Sequence, residues 1–393
     1  LGIYYGGLLI NWAITLFSIF LLLLTTHIMN NSSQAASAEA PTPTIDSQKM
    51  EAFLGKVVTD FGAAFSAPLC FIGDKLGLYK AMAFAGPLSH EEVAQRTQTD
   101  PRYVREWLIN QAAGGYVTYD PQSNTYTLPN EQSTALTVED SPYYVVGGFQ
   151  IVSAMNKAVD RTIEGFQTGK GMLWGEHHHS LFQGTERFFK PSYIGNLLQN
   201  WLPAVEGAEE KLQKGAKVAD IGAGHGISTL IMAKAFPNSR FYGFDNHQPS
   251  VERANQIAQE EGLSNRVEFQ VASAQQFPGN AYDLIAYFDC LHDMGDPVGA
   301  LTRAYEALAQ DGSVMVIEPM AGRKTEENFN PVGRVYSGAS VLCCTPNAIA
   351  SGPYALGTVA SDSALAEVAT KAGFKSFTRV AETPFNRVFQ GKK

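Results

Sequence analysis

The stretch Val218-Ala219-Asp220-Ile221-Gly222-Ala223-Gly224-His225-Gly226-Ile227-Ser228 sets an acid and three glycines between a strand-like run and a helix-like one. Glycines at such a point permit a tight turn and let the backbone come close to a ligand. A dinucleotide fingerprint, Gly-x-Gly-x-x-Gly, would need its third glycine at position 227, which is Ile227. The pattern is instead Asp-x-Gly-x-Gly-x-Gly. Asp220 beside this loop would repel a pyrophosphate but suits a ligand carrying a cationic sulfonium and ammonium. A purely structural turn is the other reading of the same glycines.

Three further strand-like runs end in residues that could complete a crevice. Asp245, followed by Asn246, closes Tyr242-Gly243-Phe244-Asp245 and could accept two hydrogen bonds from ribose hydroxyls; capping the next helix is the competing use of such an acid. The third run ends in Val271-Ala272-Ser273-Ala274-Gln275 and the fourth in Phe288-Asp289-Cys290-Leu291-His292-Asp293. In an open α/β sheet these ends converge on one crevice. His292 could exchange a proton near neutral pH or be a structural residue of the strand end, and Asp293 could cap the turn that follows.

Together these residues resemble class I S-adenosylmethionine (SAM) dependent methyltransferases, over about residues 216–393. The resemblance implies that Gly222, Gly224 and Gly226, flanked by Asp220, cradle the methionine portion of SAM. It further implies that Asp245 with Asn246 holds the ribose, that Ser273 and Ala274 edge the adenine, and that Phe288 and Asp289 border the same cofactor. Many members carry an aspartate where this chain has Ser273; a serine hydroxyl can still hydrogen-bond the ring. The run Asp289-Cys290-Leu291-His292-Asp293-Met294-Gly295-Asp296-Pro297, with Val316-Ile317-Glu318-Pro319 after the next helix, is similar to small-molecule O-methyltransferases that dimerise through an N-terminal domain. That implies His292 as general base, Glu318 as the acid that orients it, a small-molecule hydroxyl as acceptor, and a homodimer. Methyl transfer is an in-line displacement at a carbon already activated by sulfonium, so the protein supplies alignment and a dry site. An imidazole that takes the acceptor proton adds typically ~10²–10⁴-fold.

The elements that must position these residues alternate from residue 216 onward in the rhythm of a parallel α/β sheet. Strands are expected at 218–221, 241–244, 267–271, 284–288 and 314–317, and helices at 228–235, 249–261 and 297–309. A capped helix at 363–372 precedes two strand-like runs, 376–381 and 386–390. The expected fold is a Rossmann-like α/β domain over 215–393; the resemblance makes its sheet seven-stranded, mostly parallel, with the last strand antiparallel. Upstream, 49–130 reads as helices at 50–65 and 69–84, a helix capped by Ser89 with Glu92, another opened by Asp100-Pro101, and a hairpin around Asp120-Pro121-Gln122-Ser123-Asn124. This is the order of a winged helix, here a dimerisation module. Residues 131–214 read as a helical connector or substrate lid with helices at 145–163 and 191–202, and 320–357 as a long insertion. Insertion and connector would wall the acceptor pocket, with Trp174, Glu176, His177, Phe188 and Tyr193 as pocket residues. His177-His178-His179 suggests metal, but neighbours on a chain do not easily face one ion, and no metal is expected.

Hydrophobic residues at 45% and charged residues at 17% allow a large core, and the net charge of −9 speaks against nonspecific nucleic-acid binding. Residues 49–130 carry seven Lys/Arg against eight Asp/Glu, and the presumed recognition helix offers Arg102 and Arg105 with Glu106 beside them. A DNA reader needs a basic face, so a winged-helix regulator with a ligand-sensing domain ranks second. A nicotinamide oxidoreductase, disfavoured by Ile227, ranks third. Cys70, Cys290, Cys343 and Cys344 show no zinc-type spacing with histidine and read as reduced thiols of a cytoplasmic protein. The apolar run 8–24 is at the lower edge of a bilayer span, and no Lys or Arg precedes Lys49. It is either a membrane anchor or an extension upstream of a start at Met29; the second is favoured because nothing downstream needs a membrane. Residues 29–48 read as a flexible linker.

Overall fold

The structure, a computed structural model, describes residues 45–393. The run 8–24 and most of the expected linker lie outside the described residues. The site lies wholly within the compact unit Thr59–Lys393.

The N-terminal elements start with α1, Ser47–Lys75, and α2, Leu78–Met82. The expected break at 66–68 is absent: α1 continues through Pro68, and the chain turns instead at Gly77, whose φ of +71° favours glycine. By length and composition α1 could cross a membrane, the only such helix among the described residues. Next come α3, His90–Thr97, and α4, Pro101–Ala113. Ser89 closes the expected capping box, its Oγ accepting from Glu92 N at 3.3 Å while Glu92 Oε2 accepts from Ser89 N at 2.7 Å. Asp100 Oδ1 accepts from Arg102 N at 2.8 Å and Tyr103 N at 3.2 Å. The hairpin pairs β1, Thr118–Asp120, with β2, Thr125–Thr127. Leu78, Tyr79, Val93, Val104, Trp107 and Leu108 form the core of this part. Arg102 on the presumed recognition helix is tied to Glu106, leaving that face little net charge.

The connector runs through α5, Asn130–Thr137, α6, Val146–Met155, α7, Val159–Thr168, and α8, Ser180–Asn196. One helix was expected over 145–163; a 3-10 turn, Asn156–Ala158, separates α6 from α7. α8 begins well before the expected 191, runs through Pro191, and ends in a π turn, Leu197–Trp201. α6 and α8 touch closely: a Cβ on Gly147 would lie 2.4 Å from Phe188 N.

The sheet contains β3, Lys217–Ile221, β4, Arg240–Asp245, β5, Val267–Val271, β6, Tyr282–Phe288, β7, Leu308–Pro319, β8, Ser376–Glu382, and β9, Asn386–Lys392. Its order is β5-β4-β3-β6-β7-β9-β8, with β9 antiparallel to both neighbours. This is the expected seven-stranded Rossmann-like sheet. The side chains alternate with period two. Val218, Phe241, Leu284 and Met315 face α9, Ile227–Ala235, and α10, Gln248–Glu260. Ala219, Ile221, Ile285, Tyr287 and Val316 face α11, Pro297–Ala307, and a later helix, Asp362–Lys371. Burial on both faces explains why the strands read as continuous apolar runs. Strand order reverses at β3, so a crevice must open above the ends of β3 and β6. The insertion forms α12, Pro331–Ala339, a π turn, Ser340–Cys344, and α13, Thr345–Ser351; Asp362–Lys371 is α14.

Candidate active site

A cavity of about 390 Å³ occupies that crevice. Its floor is the loop from β3 into α9, where Gly222, Gly224 and Gly226 have φ of +72°, +54° and +78°. Side chains are strained in this region, and a Cβ on Gly222 would also stand 2.8 Å from Cys290 Sγ. Gly222 and Gly224 line the cavity; Gly226 does not, because its α-carbon lies against the Phe269 ring, 2.3 Å from where a Cβ would be.

Asp245 ends β4 and braces this loop. Its Oδ2 accepts from Gly224 N at 2.9 Å and its Oδ1 from His247 N at 2.8 Å. Each oxygen keeps a further lone pair for a ligand, and the residue lines the cavity together with Asn246, Ser273, Ala274 and Phe288. Asp220 is placed otherwise than the sequence suggested. It sits behind the loop, 1% exposed, where its Oδ2 accepts from Ser228 Oγ and Thr229 Oγ1, both at 2.6 Å. Two hydroxyls of the first turn of α9 thus take one oxygen, and Oδ1 is buried with no partner.

Acid accumulates at this end of the sheet. Burial, opposed by its bonds to Ser228 and Thr229, pushes Asp220 up to about 6. Burial and then the Glu318 carboxylate raise Asp289 to about 8, although Tyr193 Oη and Asn386 Nδ2 donate to it at 3.3 and 2.7 Å. Burial likewise raises Asp293 to about 7 and Asp245 above its ordinary value. No Lys or Arg is among the described residues that line the cavity. The arrangement therefore stabilises a cation and disfavours a polyanion. His225 of the glycine loop is paired with Glu186 of α8, Nδ1 to Oε2 at 2.7 Å. Both line the cavity, and the sequence reading gave neither a role.

His292 and Glu318 come together behind the cavity wall. His292 Nδ1 meets Glu318 Oε2 at 2.6 Å, and His292 N donates to Glu318 Oε1 at 3.2 Å. Neither residue belongs to the lining, and they are 3% and 1% exposed. Burial pushes the imidazole down, but the Glu318 carboxylate and the Cys344 sulfur outweigh it and hold the ring well above the usual histidine range. Cys344 reaches this position from the π turn Ser340–Cys344.

The connector contributes Trp174 and Tyr193 to the lining, and α13 contributes Asn347 and Ser351. Glu176, His177 and Phe188 were expected there and are not. The 3-10 turn Trp174–Glu176 points Trp174 inward; Glu176 instead accepts from Leu173 N at 2.7 Å and pairs with Arg161 at 3.1 Å. His177 is buried with both ring nitrogens unpartnered, and burial drives its pKa down to about 4.

The fold and the site can be set beside known proteins. Residues 212–361 match the family described as methyltransferase domain, and residues 64–138 match the Rv2258c-like winged HTH domain. The chain is 28% identical over 171 residues to the probable chloroplastic tocopherol O-methyltransferase of Oryza sativa, covering 40% of this chain and 46% of that protein. It is 28% identical to the 27-O-demethylrifamycin SV methyltransferase of Amycolatopsis mediterranei over 41% of this chain and 60% of that one. The chain thus spans about half the length of the curated relatives it matches. Among solved structures it resembles a putative O-methyltransferase of Nostoc punctiforme at TM-score 0.66 and 19% identity, covering 90% of this chain and all of that one. It also resembles human N-acetylserotonin methyltransferase in complex with SAM at TM-score 0.61 and 16% identity, covering 91% and 99%. At such identities the likeness establishes the fold. The chain carries a methyltransferase domain of the class I SAM-dependent fold, behind a winged helix-turn-helix domain.

Proposed function

We propose that the chain transfers the methyl group of SAM to a hydroxyl of a small molecule. The observation that carries this reading is a cavity floored by a positive-φ glycine loop and surrounded by acids, with no Lys or Arg among the described residues of its lining. Its volume, about 390 Å³, suits a nucleoside with an amino-acid tail, and the unpartnered, buried Asp220 Oδ1 adds negative potential beneath the loop. Gly222 and Gly224 would receive the methionine portion, Asp245 and Asn246 the ribose, and Ser273 and Ala274 the adenine edge. Phe288 and Asp289 would border the reacting end.

When bound, SAM supplies an electrophilic methyl on a sulfonium sulfur and leaves as S-adenosylhomocysteine. The chain aligns the acceptor oxygen with that carbon, so that the new C–O bond forms as the C–S bond breaks. Glu318 fixes the His292 ring through Nδ1; from just behind the lining, Nε2 takes the acceptor proton in the ring's neutral form, whose population the Glu318 pairing lowers. Trp174, Phe182, Phe189 and Tyr193 give the acceptor side an apolar wall that excludes water. The exposed apolar residues Phe61, Phe65 and Ile72 of α1 support a homodimer, checked by light scattering.

Calorimetry of the full chain with S-adenosylhomocysteine and with NAD tests the reading. Binding of the first and none of the second is expected; the reverse result ends it. A winged-helix regulator as the whole function would instead require site-specific, salt-sensitive DNA binding in a gel shift.

A further inference from the structure

His292, Asp293 and Cys344 each offer one ligand atom, and the three atoms lie within 4.8 Å of one another. Imidazole nitrogen, carboxylate oxygen and thiolate sulfur together suit a borderline-soft divalent cation, Zn²⁺ above all, and suit Mg²⁺ or Ca²⁺ poorly. We propose that His292, Asp293 and Cys344 form a three-ligand zinc-class site whose fourth position opens into the cavity.

Three observations support it beyond the cluster itself. Glu318 holds His292 Nδ1 at 2.6 Å, leaving Nε2 for an ion; a carboxylate on the far nitrogen of a metal-bound histidine is the usual outer support of such a ligand. The carboxylate of Glu318 is in turn fixed by His292 N at 3.2 Å. Asp293 lines the cavity while His292 lies behind it, so the site sits at the wall with one side toward the open space. Cys344 is delivered by a π turn, Ser340–Cys344, a wide-turn distortion that recurs at functional sites, and α13 is pinned beside it by Asn347 Nδ2 donating to Asp293 O at 3.0 Å. Ligands around one tetrahedral Zn²⁺ stand roughly 3.3–3.8 Å apart given bonds of about 2.0–2.3 Å. Side-chain rotations of about 1 Å would close the set.

His292 and Asp293 are neighbours, but on the 3-10 turn Leu291–Asp293 their ligand atoms come within 4.8 Å of each other and of Cys344, which arrives from a distant stretch, so no local spacing announces the set. The consequence for the activity rests on the methyl-transfer reading: Nε2 cannot hold an ion and accept a proton at once. A bound zinc ion therefore takes His292 out of its role as base and makes the site a metal-sensitive brake.

The test titrates the full chain with Zn²⁺ against a chromophoric chelator, then with Co²⁺ as a spectroscopic substitute. One tightly held ion per chain and a thiolate-to-cobalt charge-transfer band are expected. Cys344→Ser should abolish the band and weaken Zn²⁺ at least tenfold, and Asp293→Asn should weaken it as well. The double change His178→Ala, His179→Ala should leave both intact. A cobalt complex without a thiolate band overturns the proposal, as does zinc held equally by Cys344→Ser or lost on changing His178 and His179. If Cys344→Ser fails to fold, the cobalt spectrum of the unaltered chain and the Asp293→Asn titration decide. S-adenosylhomocysteine binding is measured on the same samples. Its absence with zinc binding intact would sink the methyl-transfer reading alone; the opposite pairing would sink the metal site alone.

Discussion

The two walls of the cavity differ in where their residues come from. The wall proposed for the cofactor is made of neighbours: Gly222, Gly224 and Asp245 belong to one β3–loop–α9–β4 unit, and Asp245 is bonded to the loop it faces. The opposite wall is assembled from afar. Trp174 and Tyr193 of the connector line it, and behind it His292 leans on Glu318 at the next strand end, beside Cys344 of the insertion. A wall of neighbours is rigid and can scarcely vary without losing its turn. A wall assembled from loops and a lid can change its acceptor while the sheet beneath stays as it is.

Breaking the acceptor wall should cost the most. His292→Ala should lower kcat by ~10²–10⁴-fold with affinity for S-adenosylhomocysteine nearly kept; full turnover in steady-state assays would remove His292 as base. Glu318→Ala should cost about 3–5 kcal/mol in denaturant unfolding, because it strands a buried histidine. Glu318→Gln should recover much of that stability but little of the turnover. An alanine variant as stable as the parent would mean the pair is not holding this wall.

His177 sharpens the same contrast, since it sits in the connector beside Trp174 with neither ring nitrogen hydrogen-bonded. Burial is the main cause of its lowered pKa, with Glu176 raising it and Arg161 lowering it. Its folded value of about 4 lies below the ordinary 6.5, so the unfolded chain takes up a proton first. Stability should be intact above that range and fall as pH drops from 6.5 towards 4, by on the order of 3 kcal/mol. His177→Leu should flatten this slope in unfolding titrations; an unchanged slope would place the acid sensitivity elsewhere. The smallest effect is expected on the cofactor side. Asp245→Ala should raise the dissociation constant for S-adenosylhomocysteine about tenfold by removing a charge-assisted acceptor, with the fold kept. Unchanged affinity in calorimetry would take Asp245 out of the site.

What could be read from the residues follows the same division. The strands were legible because each is a short apolar run buried on both faces, and the capping box because Ser89 and Glu92 lie three residues apart. The glycine loop and the acid that braces it were legible for the same reason, being local. Asp220 was misplaced because the hydroxyls of Ser228 and Thr229 claim its carboxylate only once α9 has formed. The pairing of His225 with Glu186 spans β3 and α8 and leaves no mark on local pattern. Glu176 and His177 went astray because a single 3-10 turn decides which of three adjacent side chains faces inward.

Because Asp245 holds Gly224 N and His247 N by the chain's own hydrogen bonds, the nucleoside seat does not have to be assembled on arrival. Everything that seat would grip is common to the methyl donor and to its demethylated remnant. Fresh and spent donor should then compete for it, the fresh one favoured by its sulfonium charge alone. The protein should be slowed by its own by-product, and how quickly that by-product departs should set its working pace.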